Sequence, residues 1–132
     1  MSTARRHALA VLLASALAPL VSRADETPFL SGERLAAAFA GATLIGSNWA
    51  EYYAPDGVIV GKVRYLGIVR HFRGRWIARD DRVCFEYERA EYNTCSKFRL
   101  LGERMWHFAI DGRPKKDGES RRLPGNRLEE FR

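Results

Sequence analysis

The stretch Arg82-Val-Cys-Phe-Glu-Tyr-Glu-Arg-Ala-Glu-Tyr-Asn-Thr-Cys-Ser-Lys-Phe-Arg-Leu-Leu101 decides how the rest of the chain reads. Two runs, Arg82 to Glu88 and Asn93 to Leu101, alternate between apolar and polar residues around a short connection, Arg89 to Tyr92. Period-two alternation marks strands, and the short connection pairs them as an antiparallel hairpin. Each strand carries one cysteine. If Cys84 faces Cys95, paired residue numbers sum to 179, so Arg82 faces Lys97, Glu86 faces Asn93 and Tyr87 faces Tyr92. Cys84, Glu86 and Glu88 then share a charged face with Cys95, Lys97 and Arg99. Val83, Phe85 and Tyr87 share the other with Thr94, Ser96, Phe98 and Leu100. The register and the polarity pattern agree, although neither was used to set the other. The expected product is a disulfide on the outside of the sheet and an aromatic face within. Closing a loop of this length contributes roughly 2–3 kcal/mol. Diagonal pairs of Glu86 or Glu88 with Arg99 or Lys97 add about a few tenths of a kcal/mol at most. Zinc is the rival use of two cysteines, but ten residues between them and no nearby histidine match no common zinc spacing.

The same alternation runs outward from this hairpin in both directions. Strands are expected over Thr43 to Gly46, Trp49 to Ala54, Val58 to Leu66 and Gly67 to Arg73, the last bent at Gly74 and continued by Arg75 to Arg79. Arg104 to Asp111 is the seventh, where Trp106, Phe108 and Ile110 alternate with Met105, His107 and Ala109. Residues 113–125 hold one more short strand at most, broken by Pro114, Gly118, Pro124 and Gly125. Pro55-Asp56-Gly57, Asp80-Asp81, Gly102-Glu103 and Asp111-Gly112 are turns by composition. Upstream, Ser31 can cap a helix over Gly32 to Ala40, stopped by Gly41, with Leu35, Ala38 and Phe39 on one side. The fold class is therefore mainly β: a short N-terminal helix, then a 7–8-stranded antiparallel meander. Closing it into a barrel removes the exposed edges; a two-sheet sandwich is the alternative.

Residues 1–24 read differently. Arg5 and Arg6 precede a short apolar run, Ala8 to Leu20, and Ser22-Arg23-Ala24 places small residues before a cleavage point. That order is a secretory signal peptide. The run is shorter than the roughly 20 residues that cross a bilayer. The adjacent arginines hint at twin-arginine export without deciding it. The expectation is one domain, 25–132, in the periplasm or secreted. Export also makes the disulfide chemically reasonable.

The formal charge of +6 divides unevenly. Arg5, Arg6 and Arg23 belong to the leader, leaving nineteen basic against sixteen acidic residues, a net of +3. The segment from Arg113 to Arg132 has seven basic and four acidic residues. On this reading the body is neutral and a basic, solvated tail from about 113 carries the excess. Contact of that tail with a membrane surface is the lesser alternative. Residues 70–79, Arg-His-Phe-Arg-Gly-Arg-Trp-Ile-Ala-Arg, look like a single-strand nucleic-acid groove. An exported chain favours the plainer reading, arginine outside and aromatics inside, and no nucleic-acid partner.

Catalytic constellations are missing from the sequence. His71 and His107 lie 36 positions apart and read as surface or interfacial, so no metal or cofactor is expected. Glu86 and Glu88 face outward, where burial cannot tune them for acid–base work. Ser96 lacks a nucleophile elbow and no phosphate loop is present.

Several short motifs together resemble small exported bacterial proteins of unknown function. They are Ala40-Gly41-Ala42-Thr43 at the helix end, Tyr52 or Tyr53 leading into Pro55-Asp56-Gly57, Gly74-Arg75-Trp76, the two strand cysteines, and Asp111-Gly112. The Gly-x-Trp also resembles that of lipocalin-like barrels, which place it on the first strand rather than mid-chain. The resemblance implies no catalytic residue. The expected function is non-enzymatic binding of a small apolar or amphipathic ligand inside the barrel. Trp76, Phe85, Tyr87, Thr94, Ser96, Phe98, Trp106 and Phe108 are the candidate lining. The alternative is an interaction module, an inhibitor or accessory subunit of an exported enzyme, working through the tail and Arg64, Arg70, Arg73 and Arg75.

Overall fold

Alternating strands joined by tight turns bury one face each, and the least exposed solution is a closed sheet. The computed structural model, which describes residues 26–132, has that form. The expected signal peptide lies outside the described residues. A helix α1 (Gly32–Phe39) is followed by β1 (Ala42–Ile45), β2 (Trp49–Tyr53), β3 (Val58–Tyr65), β4 (Ile68–Arg79), β5 (Arg82–Tyr87), β6 (Thr94–Leu101), β7 (Arg104–Phe108) and β8 (Pro114–Pro124). The eight strands form a closed antiparallel barrel in sequence order, β8 returning to pair with β1. The barrel, not the sandwich, is the architecture.

The informative hairpin has the register expected of it. Cys84 faces Cys95 with Cα atoms 4.0 Å apart, and the two are bonded. The ladder is shorter than expected and ends at Phe85 opposite Thr94. Beyond it a 3-10 turn, Ala90–Tyr92, intervenes, and the Tyr87 N–H donates to the Asn93 side-chain oxygen at 2.8 Å. Asn93 thus supplies through its amide what a ladder carbonyl would have supplied. At the other end Lys97 and Arg82 converge on Asp81, at 3.0 and 3.2 Å. Opening the disulfide with Cys84→Ser plus Cys95→Ser is expected to lower unfolding free energy by roughly 2–3 kcal/mol. Urea midpoints of the two chains check this; equal midpoints would show that the bond constrains nothing.

Helix α1 closes one end of the barrel. Its apolar stripe, Leu35, Ala38 and Phe39, is buried. The Phe39 ring meets Phe98, Tyr53, Phe85 and Trp76 at centroid distances of 4.8 to 6.1 Å. The Gly32 N–H donates to Asp80 O in the β4–β5 turn, and Arg122 Nε donates to Ala38 O at the helix C-terminus. A cation over the last carbonyls satisfies them and suits the helix dipole. Several motifs of the resemblance meet at this same end. The Trp76 N–H donates to Gly57 O and its indole Nε1 to Ala54 O, so the Gly-x-Trp clamps the Pro55-Asp56-Gly57 turn.

The segment expected to be a solvated tail is structural. Strand β8 closes the barrel, and Leu128 and Phe131 pack on Ala50 on its outer face. Thr43, fully buried, accepts from the Arg127 N–H and donates to Gly125 O. Sparse apolar residues hid this strand; its stability comes from ladder bonds on both sides, which composition does not show. Residues between Pro114 and Glu119 bulge out of register with β7.

Candidate functional site

Strand β2 places Trp49, Glu51 and Tyr53 on the inner face, because alternate residues share a side. Tyr53 sinks to the helix end and is 2% exposed. Glu51 lies one step above it, opposite Leu44 on one neighbour and Gly61 on the other. Gly61 has no side chain to fill the space beside Glu51, and the Phe72 ring lies over it. From across the barrel the Tyr87 hydroxyl donates to the Glu51 carboxylate, lying 2.8 and 2.9 Å from its two oxygens. The Tyr53 hydroxyl donates at 3.1 Å. The ion pairs found among the described residues all lie elsewhere. Burial raises the Glu51 pKa to about 7, against the lowering effect of the tyrosine bonds, Tyr87 first. Both tyrosines are held above their ordinary values by burial and by the Glu51 charge.

His107 completes the wall. It sits opposite Phe98, and its ring packs on Phe98 at 5.0 Å and on Trp49 at 5.9 Å. Its Nε2 lies 2.7 Å from the Ser120 hydroxyl. Burial, with a smaller effect from the Lys115 charge, lowers its pKa to about 4, so it is neutral at physiological pH. Lys115 reaches in from the bulge and donates to Ser96 Oγ at 2.6 Å and to Thr94 Oγ1 at 3.3 Å. Burial also lowers its pKa.

These side chains divide the interior into two levels. Toward α1 it is filled: Phe39, Tyr53, Ile59, Val83, Phe85, Phe98 and Met105 are all buried. Toward the opposite, open end the inward residues Trp49, Glu51, Phe72, Tyr87 and His107 are only partly buried. These side chains form a cup around the Glu51 carboxyl, with Lys115 at its rim. An aromatic wall with a few placed polar groups is the usual composition of a small-molecule site. A carboxyl poised near neutrality accepts from a donor or pairs with an amine.

The candidates read from the sequence separate accordingly. Tyr87 and Ser96 line the cup, and Thr94 is exposed at its rim. Trp76, Phe85 and Phe98 belong to the filled level against Phe39. Trp106 and Phe108 face outward, opposite Arg99 and Lys97 in the β6–β7 ladder. They are covered from outside: Phe29 packs edge-on to Phe108 at 5.1 Å, the Arg99 guanidinium lies over both of those rings, and Arg104 lies over Trp106. Trp106 also lines a shallow open cleft with Ser47, Pro114, Lys115 and Glu119, outside the barrel. Both faces of β7 are apolar, so alternation alone did not choose between them; the inward residues are Met105 and His107. His107, expected at the surface or an interface, faces the barrel interior for the same reason. His71 is exposed. Among the described residues no three His, Cys, Asp or Glu side chains gather as a metal site.

Glu51, Tyr53, His107 and Lys115 were missed by sequence reading. A signal existed for the first two: in Trp49-Ala-Glu-Tyr-Tyr53 the carboxylate shares its face with aromatics two residues to either side. Comparison with protein-family models, with curated proteins and with solved structures finds no match to this chain.

Proposed function

We propose that the protein is a non-enzymatic, exported barrel that binds a small amphipathic molecule in the cup. The apolar part of the ligand lies on Trp49, Phe72 and Tyr87, and a hydrogen-bond-donating or amine head meets Glu51. One observation carries this reading: the Glu51 carboxyl is buried beside an aromatic wall, bonded to two neutral hydroxyls and, among the described residues, to no cation. Burying such a group without a counter-charge costs stability, and a ligand that completes it offsets that cost. Export is supported by the Cys84–Cys95 bond, which persists in oxidising compartments. Among the described residues no helix is long and apolar enough to cross a membrane.

The neutral fluorophore N-phenyl-1-naphthylamine tests the site. It is expected to brighten on the native chain and to be displaced by octylamine at least tenfold more effectively than by octanoate, the order expected for one charge-assisted bond. Glu51→Gln should remove that preference and leave dye binding intact. Native mass spectrometry of the same preparation should show octylamine bound with unit stoichiometry. A chain that neither brightens the dye nor retains octylamine would refute the reading.

A further inference from the structure

The β3–β4 hairpin carries charge of one sign. From Val58 to Arg79 it holds Lys62, Arg64, Arg70, Arg73, Arg75 and Arg79 and no Asp or Glu. Its net of +6 set against the +3 of residues 25–132 leaves the remainder at −3, so the neutral body seen in the composition conceals a strongly polar distribution.

The hairpin also outreaches its neighbours. β2 pairs with β3 only as far as Val63, and β5 pairs with β4 only from Gly74. Residues 65–69 therefore project past the rim, at the open end of the barrel, and along 70–73 β4 has no ladder partner on its β5 side. The tip, Tyr65-Leu66-Gly67-Ile68-Val69, is apolar and faces solvent, with Leu66 83%, Tyr65 67% and Ile68 57% exposed. The two turn residues have φ of 50° at Leu66 and 75° at Gly67. Such two-residue turns favour Asn or Asp before Gly, and a bulky residue at positive φ is strained. Leu66 is neither favoured by the backbone nor rewarded by burial within the described residues.

The cations beside the tip are not equivalent. Lys62 donates to Leu128 O, Arg64 stacks on Phe131, and Arg75 faces Glu86 across the ladder. Arg70 and Arg73 are exposed, and no ion pair engages either among the described residues. An apolar tip flanked by free cations matches the two layers of an anionic bilayer surface, acyl boundary and phosphate.

We propose that this tip docks on an anionic lipid bilayer, with Tyr65, Leu66 and Ile68 entering the headgroup boundary and Arg70 on lipid phosphate. Docked so, the hairpin turns the open end of the barrel toward the membrane. The inference does not rest on the cup binding a ligand.

Sedimentation with lipid vesicles tests it. The full chain is expressed through an export route, its N-terminus is read by mass, and all variants are prepared alike. Wild type is expected to sediment with phosphatidylcholine vesicles containing a quarter phosphatidylglycerol, and not with pure phosphatidylcholine. Arg70→Gln should weaken partitioning about fivefold. Leu66→Ser plus Ile68→Ser should leave only the salt-sensitive part, released by raising ionic strength. All three positions are exposed, so the variants should retain wild-type thermal unfolding, and that is checked first. Absence of sedimentation with anionic vesicles overturns the proposal. So does equal sedimentation of wild type and both variants, or a protein partner that requires the tip while vesicles do not.

Discussion

Replacing Phe39 by alanine is expected to lower the unfolding free energy by about 4 kcal/mol, the range for deleting a buried phenylalanine. The ring is fully buried and touches four other rings from four different strands. It is the joint through which α1 plugs the barrel, with Leu35 and Ala38 of the same stripe in the same core cluster. A domain of this size has a total stability of about 5–15 kcal/mol, so the variant should stand near the edge of folding. Phe39→Leu keeps most of the volume and should cost under about 1.5 kcal/mol. Denaturant midpoints of the three chains, with the disulfide intact, measure both. A loss below about 1 kcal/mol for the alanine variant would mean that the barrel closes without the helix.

The second large effect is in the pH dependence of stability. Folded Glu51 keeps its proton up to about pH 7, whereas an unfolded glutamate releases it near 4.5. Between those values the folded chain binds more protons, so its stability falls as pH rises. His107 does the reverse. Its folded pKa is about 4 against an ordinary 6.5, so the unfolded chain binds more protons in that window and stability falls as pH drops. The two windows overlap between about 4.5 and 6.5, and the slopes oppose one another, leaving the wild type nearly flat there. Each slope is about 3 kcal/mol at most over its window, at roughly 1.36 kcal/mol per unit. Glu51→Gln should expose the His107 slope and lose stability on acidification. His107→Gln keeps a partner for Ser120, exposes the Glu51 slope, and should lose stability toward pH 7. Urea midpoints across this range decide it; two flat variants would show that neither group is desolvated.

What could be read in advance follows from how many constraints act on each element. The β5–β6 hairpin was legible because a covalent bond and a polarity pattern specified one register. The helix stripe was legible because Leu35, Ala38 and Phe39 have only one face to share. Strand β7 was not, since Trp106 and Phe108 compete with Met105 and His107, and Phe29 and Arg99 cover Phe108 from outside while Arg104 covers Trp106. Strand β8 was not, because a closing strand is held by ladders on both sides and needs few apolar residues. The cup escaped notice because Glu51 and Tyr87 are 36 residues apart in sequence, and only barrel closure brings them together.

The direct test is the pH titration of the Glu51 side-chain carboxyl carbon by NMR on the isotopically labelled, disulfide-intact chain. A midpoint near 7, rising further in Tyr87→Phe where a stabilising donor is lost, is the predicted result. A midpoint near 4.5 in both chains would place Glu51 in open water and contradict the cup.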